Sequence, residues 1–140
     1  DAAELAGLAG RGASVNSLPE LQNFVVTTLQ TSPLCRATRV LETQQFSERQ
    51  FAVKVRADLT TGEWLQVRLY QNGAHTDYAY QLARGEQTVL RWDNKEHFPD
   101  LATHPHHFHS PRGAVEGSPL NGDVTHDLPF VLNHLAARIT

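Results

Sequence analysis

The sequence predicts an α+β fold: an N-terminal helix, an antiparallel meander of about five strands, a histidine-rich loop and a C-terminal helix. Three observations carry this expectation. Apolar residues recur at helical spacing near both ends of the chain, they recur at period two through its middle, and glycine-containing turn dipeptides separate the period-two segments. With 140 residues, 40% of them hydrophobic, there is material for one core, so residues 17–140 are expected to form a single domain behind a flexible extension at 1–16.

The extension is rich in Ala and Gly and carries little bulky apolar material. Ser17-Leu-Pro-Glu20 then has the spacing of a capping box, with Pro19 in the first turn where its missing N–H is not needed. Leu18, Leu21, Val25 and Leu29 supply one apolar stripe, and Ser32-Pro33 stops the helix. Phe51, Val53, Val55 and Ala57 alternate with Ala52, Lys54, Arg56 and Asp58, which predicts a strand with one buried face. Thr61-Gly62 turns into a second strand over 63–70, whose Trp64 is expected in the core. Asn72-Gly73 predicts a type I′ hairpin, because both central positions of that turn need positive φ. Strands over 75–83 and 87–93 follow, joined at Arg84-Gly85, and a further strand is placed near Thr38–Thr43. Residues 95–124, broken by Pro99, Pro105, Pro111 and Pro119, read as irregular chain. The last helix is expected from about Asp127 to Arg138, burying Leu128, Val131, Leu132, Leu135 and Ile139.

Charge narrows the function classes. Twelve basic against fifteen acidic residues exclude a protein that coats nucleic acid by charge alone. The distribution is uneven, with eight basic and six acidic residues over 36–91 but two and six over 93–127. Lys54, Arg56 and Arg68 fall on the sheet and make a modest cationic surface, either a solvated face or a place for RNA. A single cysteine, Cys35, forms no internal disulfide and suggests a reducing, cytoplasmic setting, with Cys35 itself a small apolar residue. No apolar run approaches the roughly 20 residues of a membrane span, and the opening segment lacks the basic region of a secretory signal.

Histidine is the unusual residue. Of eight, five (His97, His104, His106, His107 and His109) fall within thirteen positions, directly after the strand end Arg91-Trp-Asp-Asn94. Three uses compete. His104, His106, His107 and His109 are metal-ligand candidates, with Asp93 and Asp100 as added carboxylates, although no HExxH helix is present. Alternatively, one imidazole takes a proton from a ribose 2′-hydroxyl while another protonates the leaving 5′-oxygen, and Arg91 holds the phosphate; this needs no cofactor. Thirdly, hydrogen bonds to Asp93, Asn94 or backbone carbonyls would pin the loop to the sheet. His75, His126 and His134 read as structural, and Tyr78 and Tyr80 as packing residues.

At Arg91-Trp-Asp-Asn94, His97 and Pro105-His-His-Phe-His109, the chain resembles the TumE-type toxins of prokaryotic toxin–antitoxin systems over roughly residues 40–139. Trp92 replaces the family's tyrosine, Phe98 its second histidine and Phe108 a lysine between histidines. The resemblance implies a toxin partnered by a DNA-binding helix-turn-helix antitoxin. Together with the histidine cluster it points to an endoribonuclease, with Arg91, Asp93, Asn94, His97, His106, His107 and His109 as catalytic candidates. Lys54, Arg56, Arg68 and Arg112 are then the candidates for holding RNA, with Lys95 or Arg112 beside Arg91 to replace the missing lysine. The alternatives are a non-catalytic partner-binding or regulatory module with a structural or metal-binding loop, and a metal-dependent nuclease.

Overall fold

Phe51, Val53, Val55 and Ala57 share one face of a strand and are each at most 1% exposed. A computed structural model, which describes residues 15–139, extends this parity across the sheet. Strand β1 is Cys35–Ser47, β2 Gln50–Leu59, β3 Trp64–Asn72, β4 His75–Arg84, β5 Gln87–Asp93, β6 His107–His109 and β7 Val115–Gly117. Every strand pairs antiparallel with its neighbours in sequence, giving one seven-stranded sheet in the order β1 to β7. The meander therefore has seven strands where the sequence predicts about five. The two additional strands are three-residue segments inside the histidine-rich region, too short for an alternating pattern to show. Strand β1 runs well past Thr38–Thr43, and its side chains are almost all exposed, so it presents no alternation to read.

Helix α1 (Leu18–Gln30) starts as its capping box requires: Ser17 Oγ accepts from the Glu20 backbone N–H at 3.2 Å, and Leu21, Val25 and Leu29 are buried. Helix α2 (Val124–Arg138) begins three residues earlier than expected, because Asp123 caps it by accepting from the Thr125 N–H at 3.0 Å. Both helices pack on the apolar face of the sheet, where Leu65, Val67, Leu69, Tyr80, Leu82, Leu90 and Trp92 meet Leu128, Val131 and Leu135. Full burial of a leucine such as Leu128 contributes about 1.5–3 kcal/mol. Ile139, counted in the buried stripe from sequence, is the C-cap and half exposed, since the helix ends before it.

Two other expectations are corrected. Asn72 pairs with His75, so the hairpin loop is Gly73-Ala74; only Gly73 has positive φ (+61°), as in a type II′ rather than a type I′ turn. Trp64 lies on the opposite face from Leu65, Val67 and Leu69; Arg56 covers its ring at 4.0 Å and its Nε1 donates to Gly85 O at 2.9 Å. The expected extension falls, for residues 1–14, outside the described residues, while Val15 packs against the core. No described helix is long and apolar enough to cross a membrane.

Candidate functional site

Because successive strand residues point to opposite faces, the register decides which chemical groups meet. On the face away from the helices one row runs Lys54, Arg68, Ala79, Asp93, His107, and the next runs Arg56, Gln66, Gln81, Arg91, His109. No helix covers this face among the described residues. At its β5–β6 end Asp93, 3% exposed, is the hub. Its Oδ1 faces His107 Nε2 at 3.0 Å and accepts from the Lys95 backbone N–H at 2.9 Å. Its Oδ2 accepts from Arg91 Nε at 2.9 Å and lies 3.6 Å from His109 Nε2.

The two histidines differ in exposure. His107 is fully buried, with Nδ1 3.0 Å from Pro105 O and Nε2 3.0 Å from Asp93 Oδ1, and these two oxygens together fix the ring. His109 is about one-third exposed at its side chain and opens onto a cleft of about 470 Å³ bounded also by Thr88, Arg91, Lys95, His97 and Phe98. Partial burial holds the His109 imidazole below its ordinary value, against the opposing pull of Asp93 and with further lowering from His107 and Arg91. The ring is therefore neutral, and able to accept a proton, at pH 7. Phe98 packs edge-on against His107 (ring centroids 4.7 Å apart) and His109 (6.0 Å), walling one side of the cleft.

Asp93, His107 and His109 each offer a ligand atom within 4.8 Å of the others, so the trio has the spacing to hold a metal ion. Arg91 competes with that use, since its guanidinium takes one carboxylate oxygen and sets a fixed positive charge beside the ion's position.

The remaining sequence candidates lie elsewhere. Asn94 turns to the opposite face, where its Oδ1 accepts from the Tyr78 N–H (3.0 Å) and its Nδ2 donates to Thr76 O (2.8 Å), continuing the pairing to β4 beyond the end of β5. His106 is on that side too, stacked on Tyr78 with Nδ1 2.7 Å from the phenol oxygen. His97 is exposed at the cleft edge, His104 is exposed before the turn into β6, and Arg112 sits in the β6–β7 turn away from the cleft. Lys54, Arg56 and Arg68 stand on the same open face as Asp93, two or three strands away; Lys54 pairs with Glu42 (3.2 Å) and Arg56 bonds Gln66 (2.9 Å).

Sequence reasoning passed over two contributors. Thr88 lines the cleft without any motif to mark it, beside Phe98, which stands where the family has its second histidine. Thr103 holds the histidine segment in place, donating to His106 O (2.7 Å) and accepting from the Ser118 N–H (3.1 Å). Two departures from the family pattern also find an account: Phe108 faces the helices, and its ring meets Trp92 at 4.7 Å and His134 at 5.5 Å. The two substitutions thus touch one another in the core and leave the open face unaltered.

In comparison with known proteins, the family model described as toxin TumE matches residues 25–139. No curated protein and no solved structure gives a significant match.

Proposed function

The chain belongs to the TumE toxin family, and from that premise we propose that this toxin-family protein, one half of a toxin–antitoxin pair, is an endoribonuclease working by histidine acid–base chemistry on the open sheet face. The observation that carries the reading is the convergence of Arg91, His107 and His109 on one buried carboxylate beside an open cleft. Paired imidazoles, a phosphate-holding cation and an orienting carboxylate are what internal transfer at an RNA phosphodiester needs.

In this reading the His109 imidazole, through the ring nitrogen not turned to Asp93, removes the proton from a ribose 2′-hydroxyl. The freed 2′-oxygen attacks the adjacent phosphorus, the bond to the 5′-oxygen breaks, and that oxygen takes a proton from His97 across the cleft, leaving a 2′,3′-cyclic phosphate. Arg91 is bound to Asp93 through Nε alone, so its terminal nitrogens face the phosphate as charge develops. Asp93 and His107 hold the geometry: the carboxylate fixes Arg91 and the Lys95 backbone, and His107 clamps the carboxylate in turn. His106 and Asn94 have no part in it, because they serve the other face. The partner is a helix-turn-helix antitoxin and the setting cytoplasmic.

The test is incubation of purified protein with single-stranded RNA in EDTA. Cleavage leaving 2′,3′-cyclic ends, lost in His109→Ala and His97→Ala variants that still fold, is the expected result. Activity that EDTA abolishes and manganese or zinc restores would overturn the acid–base mechanism in favour of the metal-dependent reading, which the ligand spacing of Asp93, His107 and His109 supports. No cleavage under either condition, with a lowered melting temperature as the sole effect of the substitutions, would favour a non-catalytic binding module.

A further inference from the structure

A second cleft of about 340 Å³ lies on the same open face, bounded by Lys54, Arg68, Tyr70, Asp77 and Lys95. Lys95 borders both clefts. Its backbone N–H is tied to Asp93 Oδ1 while its side chain stands free of any acidic partner among the described residues, so its backbone is fixed to the Asp93 carboxylate and its charge is available. Arg68 likewise has no acidic partner there, unlike Lys54, which is held by Glu42.

The register sets the path between the clefts. Asp93 faces Ala79, Ala79 faces Arg68 and Arg68 faces Lys54, three strand spacings or about 14 Å in all. Ala79 is the smallest residue of that row and raises no barrier across it. At the far side an aromatic surface is exposed: Phe46, 56% exposed, sits against Tyr70 with ring centroids 5.9 Å apart, and Gln50 fixes the Tyr70 hydroxyl at 2.9 Å.

We propose that the Arg68–Tyr70–Lys95 cleft is a nucleotide subsite for single-stranded RNA, continuous with the cleft at Asp93. Lys95 and Arg68 take the phosphates next to the scissile one, and a base stacks on the Tyr70–Phe46 surface. The combination of unpaired cations with a presented ring face is the chemistry that single strands use, and stacking there needs a base free of a duplex. The subsite deepens the ribonuclease reading and rests on it, because it names the strand that reading leaves undescribed.

The experiment uses a fluorescein-labelled single-stranded RNA hexamer and its duplex, with anisotropy and cleavage measured in parallel. Arg68→Ala and Tyr70→Ala are each expected to weaken hexamer binding about tenfold or more. In cleavage they are expected to raise KM with kcat held, while a dinucleoside monophosphate, too short to reach Tyr70, is cleaved as before. Removing Arg68 is also expected to lower the salt dependence by somewhat less than one charge. Unaltered hexamer binding in both variants, in protein whose cleavage still depends on His109, would overturn the subsite and leave the catalytic reading intact. Equal affinity for the duplex would overturn the single-strand assignment. Loss of antitoxin binding in the same variants, with RNA binding unchanged, would assign the face to a protein partner and overturn the proposal. No cleavage and no RNA binding by the parent protein would remove both readings together.

Discussion

Two neighbouring pairs in sequence, Asp93 with Asn94 and His106 with His107, are divided between the two faces of one sheet. Asp93 and His107 meet on the open face at 3.0 Å, whereas Asn94 and His106 engage β4 and Tyr78 on the helix side. The residue types are alike and the surroundings opposite. One face gathers a carboxylate, an arginine and a partly open imidazole around an uncovered cleft; the other uses its polar groups to satisfy backbone and phenol partners. Histidine count therefore matters less than strand parity, since a one-residue slip of β6 would put Phe108, with His106 or Ser110, in the places of His107 and His109.

The sharpest way to break this comparison is at His109. His109→Ala is expected to lower RNA cleavage at least 100-fold in gel assays with little change in melting temperature, because the ring is partly exposed. A fall below threefold would remove the open face from the chemistry. Asp93→Asn keeps the shape but removes the charge that Arg91 and the two histidines surround. A loss of roughly tenfold to 100-fold in kcat is expected, with about 1–3 kcal/mol of stability lost by urea titration. On the other face, Tyr78→Phe removes the bond to His106 Nδ1 and is expected to reduce stability by about 1 kcal/mol while cleavage stays at the parent rate. Reduced cleavage in that variant would show that the two faces are coupled.

The smallest expected effect is on pH. Burial lowers His106, His109 and His134 below the ordinary value of 6.5, so the folded chain keeps them neutral where the unfolded chain has begun to bind protons. Stability is then full above pH 6.5 and declines as pH falls from there through the lowered folded values. Thermal scans between pH 8 and 5 read this directly, and the acid limb of kcat/KM, if His109 is the base, lies below 6.5 as well. An acid limb above 6.5 would point to another group.

Strong local signals were legible in the sequence: the Ser17 capping box, the alternation through β2 to β5 and the 87–93 strand are found as expected. Asn72-Gly73 reads locally as the centre of the turn, but the pairing of Asn72 with His75 is a tertiary choice that shifts the loop by one residue. The site was legible as a neighbourhood but not as a constellation. Nothing in Pro105-His-His-Phe-His109 says that β6 is three residues long and paired to β5, and only that pairing selects His107 and His109 over His106. Trp64 shows the same limit, since a large ring reads as core while parity sends it to the open face beneath Arg56.

Strand β6 joins the sheet over three residues, and β7 beyond it over three more. Detaching so short a ribbon exposes far less apolar surface than opening β2 or β3, so its fluctuations lie at the low end of the free-energy scale of the molecule. His109, the base of the proposed mechanism, thus rides on the part of the sheet that can lift away while the core stays closed. Potency can in this way be set by how tightly one margin of the sheet is fastened, and a partner gripping or prising that margin would gate a poison without dismantling it.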